Sequence, residues 1–249
     1  MPAMDAPHRN QLVWLHESAW QQVLLQDWDA QAAEVLRHWQ QQQLPLVVCR
    51  QRLPDAPQRI SLGLPAPLQW ERRKLALDVA AQDIARSGNF PALSPDVLGP
   101  ADTAQLRELL QHMQCLQVPL LVYGSFGWQQ LCGLPCVRST SDLDLLAQVP
   151  DLHAAGQVVW LLQGLKLACR VDGELLFPNG WAIAWREYAQ LIGGKVERVL
   201  VKERSGAQLL GMAELRAQLR PGRPVVATRD AALASAQAQT RVPDRAQEH

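Results

Sequence analysis

The chain has no excess charge of either sign: 24 Lys and Arg stand against 24 Asp and Glu. General nucleic-acid binders and membrane-surface binders need a net basic field, and this balance argues against both. No C-x-x-C pair occurs among the five cysteines, and no H-x-H or H-x-x-x-H among the six histidines. A structural zinc site and a disulfide framework are therefore not expected, and a reducing, cytoplasmic compartment is. No run approaches the roughly 18 apolar residues of a membrane span. The first segment, MPAMDAPHRNQ, lacks the apolar centre of a secretory leader. Phe and Tyr are scarce, three and two against nine Trp.

What is present is globular, with 48% hydrophobic and 19% charged residues. At 249 residues the chain makes one large domain or two modest ones, on a prior of about 150 residues per domain. The zero net charge is unevenly spread: residues 1–100 carry −1, residues 101–190 carry −3 and residues 191–249 carry +4.

Apolar and polar residues alternate over 59–64, as in a half-buried strand, and 46–49 is a second short strand. Residues 20–39 read as helix, and a further helix is expected near 79–85. The stretch 87–100 holds Pro91, Pro95 and Pro100 with two glycines, and marks a domain boundary. Beyond it we expect a helix over 103–113 capped by Asp102 or Thr103, strands at 120–123 and 142–146, and a helix over 153–164. Strands at 167–171, 174–177 and 181–185 follow, turning at Asp172-Gly173 and Pro178-Asn179-Gly180. Helices at 187–192 and 211–219 flank a strand at 199–201. The expected organisation is an N-terminal domain over 1–90, a catalytic domain over 91–222 and a flexible tail over 223–249.

Two segments carry chemistry. In Val122-Tyr123-Gly124-Ser125-Phe126 a buried strand runs through Gly-Ser into a short helix. Gly124 permits close backbone approach, and the amides of a helix start, with the Ser125 hydroxyl, suit a phosphate. The same pattern is also an ordinary tight turn. In Ser141-Asp142-Leu143-Asp144-Leu145 the strand period of two puts both aspartates on one face. Paired carboxylates repel unless a cation lies between them, and their hard oxygens suit Mg²⁺ with substrate phosphates. Such ions can clamp an in-line phosphoryl displacement. For an isolated D-x-D, a solvated polar face is the competing reading.

Together the segments resemble the polymerase-β-like nucleotidyltransferase superfamily, with its apolar–Gly–Ser turn, short helix and Asp–apolar–Asp strand. A closer resemblance is carried by Tyr123-Gly124-Ser125, Trp128-Gln129, Gly133-Leu134-Pro135 and Ser141 to Leu146. It extends to Leu12-Val13-Trp14-Leu15, Arg59 to Pro65, Arg72-Arg73, Val171 to Leu175 and Trp185-Arg186-Glu187. Over about residues 12–205 the chain is similar to the phosphoribosyl-dephospho-CoA transferases of malonate decarboxylase, the MdcG family. Cys132 and Cys136 stand where Thr and Tyr are expected there, and neither looks chemically required.

The resemblance implies transfer of a phosphoribosyl-dephospho-CoA group from 2′-(5″-triphosphoribosyl)-3′-dephospho-CoA to a serine of the apo acyl-carrier subunit, with release of pyrophosphate. It implies an α+β fold: a nucleotidyltransferase-like mixed-sheet C-terminal domain and a smaller α+β N-terminal domain. Asp142 and Asp144 would be catalytic and would hold Mg²⁺, with Asp172 as third metal-site carboxylate and Glu174 in reserve. Asp172 is equally a hairpin-turn residue, since Asp-Gly favours such turns. Gly124 and Ser125 would seat the triphosphate, with Arg72, Arg73, Arg170 and Lys202 as further phosphate-binding candidates. For any one of these cations a solvated surface role competes. Two rivals stay open: a Mg²⁺-dependent enzyme using an ordinary nucleoside triphosphate, and a non-catalytic binding module of the same fold.

Overall fold

The computed structural model describes residues 7–51 and 59–219. The tail expected over 223–249 lies outside them. Period-two patterning builds the N-terminal domain. Strand β3 (Arg59–Pro65) buries Ile60, Leu62 and Leu64, and its partner β4 (Lys74–Ala80) buries Leu75, Leu77 and Val79. With β1 (Leu12–Leu15), β2 (Leu46–Val48) and β5 (Ile84–Gly88) they form a five-stranded antiparallel sheet in the order β4-β3-β2-β1-β5. Helices α1 (Glu17–Leu24) and α2 (Ala30–Gln41) cover it, α2 through Ala32, Val35, Leu36 and Trp39 on one face.

Two expectations fail in this domain. The helix read over 20–39 is two helices, because the Asp29 carboxylate accepts the Ala32 amide at 3.0 Å and starts α2 afresh. The helix read near 79–85 is the end of β4, one 3₁₀ turn (Ala81–Asp83) and the start of β5. Alternating burial along β4 outweighs the helix propensity of its alanines, and the Asp83 carboxylate accepting the Ala80 amide at 2.9 Å turns the chain.

The C-terminal domain runs α3 (Thr103–Cys115), β6 (Leu120–Tyr123), α4 (Gly124–Cys132), β7 (Leu143–Gln148), α5 (Leu152–Gly164) and β8 (Val171–Leu176). It continues through β9 (Ala182–Ala184), α6 (Trp185–Ile192), β10 (Arg198–Lys202), β11 (Ala207–Gly211) and α7 (Met212–Gln218). The sheet order is β11-β10-β9-β8-β7-β6; β7 and β8 are parallel, joined by the α5 crossover, and the other pairs are antiparallel. The whole is α+β with a mixed sheet in the second domain. Strand β11 was not anticipated. Asp102 stands at the N-cap of α3, but its side chain accepts the Ala168 amide at 3.2 Å and makes no cap bond.

The consequential correction is at β8. Residues 172–173 are not a hairpin turn, and 167–170 are not a strand. Strand β8 runs straight through Asp172-Gly173 beside β7, with Asp144 opposite Asp172 and Leu145 opposite Gly173. A Cβ on Gly173 would lie 1.8 Å from the Leu145 carbonyl oxygen, and its φ is +137°. The glycine serves a close strand approach, which the sequence alone does not separate from a turn.

Alternation then orients the site. Leu143 and Leu145 of β7, with Val171 and Leu175 of β8, pack into the core under α3, α5 and α6. Leu146 packs instead with the N-terminal domain, as do Leu121, Trp128 and Cys136. Asp144 and Asp172 have the parity of that second face, so they open toward the N-terminal domain. Trp128 is spent on this contact, 5.6 Å edge-on from Phe90 and 6.2 Å from Trp39 between ring centroids.

Candidate active site

The site forms where β6 ends, α4 begins and β7 and β8 start. Gly124 opens α4 at φ +60°, a left-handed conformation that favours glycine. A Cβ there would fall 1.9 Å from Asp144 Oδ2. Asp144 therefore lies directly against the Gly-Ser turn, with no room for any larger residue at 124. Tyr123 precedes the turn opposite Asp144 in the antiparallel register. Burial, then Glu174, Asp144 and Asp172, push its phenol above the ordinary range, so it stays neutral.

The Asp144 carboxylate makes no hydrogen bond or ion pair among the described residues. Burial, followed by repulsion from Asp172, Asp142 and Glu174, raises its carboxyl from 3.8 to about 6, while Arg170 works the other way. Arg170 bridges the rest of the set: its Nη2 donates to Asp172 Oδ2 at 2.9 Å, and its Nη1 lies 4.0 Å from Asp142 Oδ2. The other Asp172 oxygen accepts the Gly173 amide at 2.8 Å. The fold thus brings together Asp142, Asp144 and Asp172 with Arg170; Asp172, read equally as a turn residue, stands in the strand opposite Asp144.

The donor chemistry suits a hard divalent cation: oxygens only, crowded enough that one carboxyl resists ionisation. Among the described residues no group of three His, Cys, Asp or Glu is gathered closely enough to hold a metal by itself. An ion here would be held by one or two aspartates and completed by substrate oxygens and water, the usual habit of Mg²⁺.

The cations divide. Arg72 reaches across from the N-terminal domain, its Nη2 3.5 Å from Ser125 Oγ. Both Glu71 and Arg72 adopt positive φ, +55° and +57°, a strained tip that holds the side chain over the turn. Arg73 turns away to Asp29, which it holds down at about 2. Lys202 donates to Glu174 Oε1 at 2.6 Å. Glu174, 5% exposed, also takes Arg9 Nη1 at 2.9 Å and Asn10 Nδ2 at 2.9 Å. Burial pushes the Glu174 carboxyl up, but Arg9 and Lys202 outweigh it and hold it below the usual range. Sequence reasoning missed Arg9 and Asn10. Their only signal was that a carboxylate inside a strand needs partners, and those stand more than 160 residues away.

Cys132 and Cys136 sit at the end of α4 with sulfurs 3.7 Å apart and no role in this geometry. Among the described residues no helix is long and apolar enough to cross a membrane.

Comparison with known proteins bears on what this arrangement does. Residues 8–90 match the family model of the phosphoribosyl-dephospho-CoA transferase MdcG N-terminal domain, and residues 93–213 match that of the MdcG C-terminal domain. A phosphoribosyl-dephospho-CoA transferase of Xanthomonas campestris pv. campestris is 38% identical over 208 residues, 81% of this chain and 93% of its own length. Proteins of the same name from Bradyrhizobium diazoefficiens and Pseudomonas fluorescens are 29% identical over 206 residues and 33% over 168. They cover 80% and 66% of this chain, and 91% and 76% of their own lengths. No solved structure gives a significant match.

Proposed function

The chain belongs to the MdcG family of phosphoribosyl-dephospho-CoA transferases, and from that membership we propose that it joins a phosphoribosyl-dephospho-CoA group to a serine of the apo acyl-carrier subunit of malonate decarboxylase. The donor is 2′-(5″-triphosphoribosyl)-3′-dephospho-CoA and the leaving group is pyrophosphate. The observation that carries the chemistry is the Asp144 carboxylate set against Gly124, with Asp172 beside it in register.

In this reading the start of α4, Ser125 and Arg72 seat the triphosphate, so that its α-phosphorus faces the carboxylates. Asp142 and Asp144 would hold Mg²⁺, with Asp172 beside them. Magnesium bound there supplies charge neutralisation on the phosphates and acidifies a nearby hydroxyl. The serine hydroxyl attacks the α-phosphorus in line, its proton passes to the carboxylate cluster, and the bond to pyrophosphate breaks. Arg170, beside Asp172 and Asp142, would meet the phosphates. Lys202, anchored by Glu174, adds positive charge on the same side. Arg73, bound to Asp29, stays outside this machinery. The compartment we assign is the cytoplasm, where a carrier subunit and a CoA derivative meet.

The test is mass spectrometry of the apo carrier subunit incubated with enzyme, Mg²⁺ and the triphosphoribosyl donor. A gain matching phosphoribosyl-dephospho-CoA, lost with a chelator, is expected. A gain seen with an ordinary nucleoside triphosphate and not with this donor would replace the proposal.

A further inference from the structure

Against the start of β8, on the side of α5 and α6, lies a pocket of about 460 Å³ separate from the carboxylate cluster. Four of its lining side chains are cations, Lys166, Arg170, Arg186 and Lys195, and no carboxylate lines it. Among the described residues Lys166, Arg186 and Lys195 have no ion-pair partner. Three uncompensated cations around one hollow, with Arg170 at its edge, repel one another, an arrangement that an anionic ligand relieves.

Two further observations mark it as built. The Arg186 guanidinium is fixed, its Nη2 donating to the Val171 carbonyl at 2.6 Å and its plane lying 4.4 Å over the Trp185 ring. Meanwhile Trp185 Nε1, on a side chain only 4% exposed, and Arg186 Nε are buried with no hydrogen-bond partner. A buried donor left unpaired costs about 1–3 kcal/mol, and such groups are rare enough to need a reason. Donors held ready for an acceptor-rich ligand supply one.

Arg170 ties this pocket to the chemistry. It lines the hollow, and its guanidinium lies on Asp172 and Asp142. Arg170 is thus common to the pocket and to the carboxylate set. We propose that the pocket binds the diphosphate of a nucleotide-type ligand, and, resting on the function proposed above, that this is the diphosphate of the donor's dephospho-CoA arm. The donor then has two anionic anchors: its triphosphate at Gly124, Ser125 and Arg72, and its CoA diphosphate at Lys166, Arg186 and Lys195. The volume suits part of such a ligand, since sites for small molecules span roughly 300–1,000 Å³.

The probe is dephospho-CoA, which carries the diphosphate and lacks the triphosphoribosyl group. Its affinity for the full chain is measured by titration calorimetry, with inorganic pyrophosphate as competitor. Lys166 and Lys195 are exposed, so Lys166→Ala/Lys195→Ala is expected to fold as the parent does. Losing two charge-assisted contacts should weaken binding at least about tenfold. Arg186→Gln, checked for an unchanged melting temperature, should act likewise. Unchanged affinity in both variants, or no binding to the parent, overturns the pocket. The two readings separate cleanly. If the carrier gains the group while these variants bind dephospho-CoA normally, the pocket alone fails. If they lose dephospho-CoA but the carrier never gains mass, the proposed transfer fails and the pocket stands.

Discussion

Asp144 and Asp172 are register partners on the parallel strands β7 and β8, and both face the N-terminal domain. Their proximity is long-range, created by the α5 crossover, and it gives the site its charge. It also has an energetic cost that can be measured.

The Asp144 carboxyl is raised from 3.8 to about 6 in the fold. Between those values the folded chain holds a proton that the unfolded chain releases. Stability from this group is therefore full below pH about 4 and is lost as pH rises through about 6. Asp144→Asn should raise stability above pH about 7, on the order of 1–2 kcal/mol after allowance for solvent screening, and match the parent near pH 4. Urea unfolding at both pH values checks this. A parent more stable than the variant at the higher pH would show that the carboxylate is not strained.

Arg72 and Arg73 are neighbours with opposite destinations. Arg72→Glu, which replaces the guanidinium 3.5 Å from the Ser125 hydroxyl with a negative charge, should raise the donor KM about tenfold or more. Arg73→Glu breaks a pair with Asp29 and should leave that KM within about twofold. Steady-state pyrophosphate release reads both, and equal effects from the two reversals would refute the assignment.

Glu174 joins the N-terminal segment to β8 through Arg9 and Asn10, and also takes Lys202 of β10. Its carboxyl is held below the usual range, so the stability it contributes is present at neutral pH and declines as pH falls into the carboxylate range. Glu174→Gln leaves two cations facing a neutral group and should cost about 3 kcal/mol at pH about 7. Thermal unfolding that is unchanged would remove the tether.

The local geometry was legible in the chain, and the long-range pairing was not. Gly124-Ser125 and Asp144 declare themselves because each depends on near neighbours: a positive φ at a helix start, and strand parity, with Asp142 just before the strand. Asp172-Gly173 misled because a glycine needed against the Leu145 carbonyl reads the same as one needed in a turn. Parallel pairing leaves no local signature to decide between them. The same holds for Arg9, whose partner is fixed only once the two domains meet. In the N-terminal domain the alanines around β4 suggested helix, and burial of Leu75, Leu77 and Val79 against the sheet overruled that propensity.

The central claim is that Asp142, Asp144 and Asp172 form one set acting on the transferred phosphorus. The most direct test is the single-turnover rate at which the apo carrier subunit gains mass, compared for the parent, Asp144→Asn and Asp172→Asn. The account predicts that each variant falls at least about a hundredfold while retaining the parent's circular dichroism. An Asp172→Asn enzyme working at the parent rate would contradict it, leaving Asp172 as a residue that merely anchors Arg170.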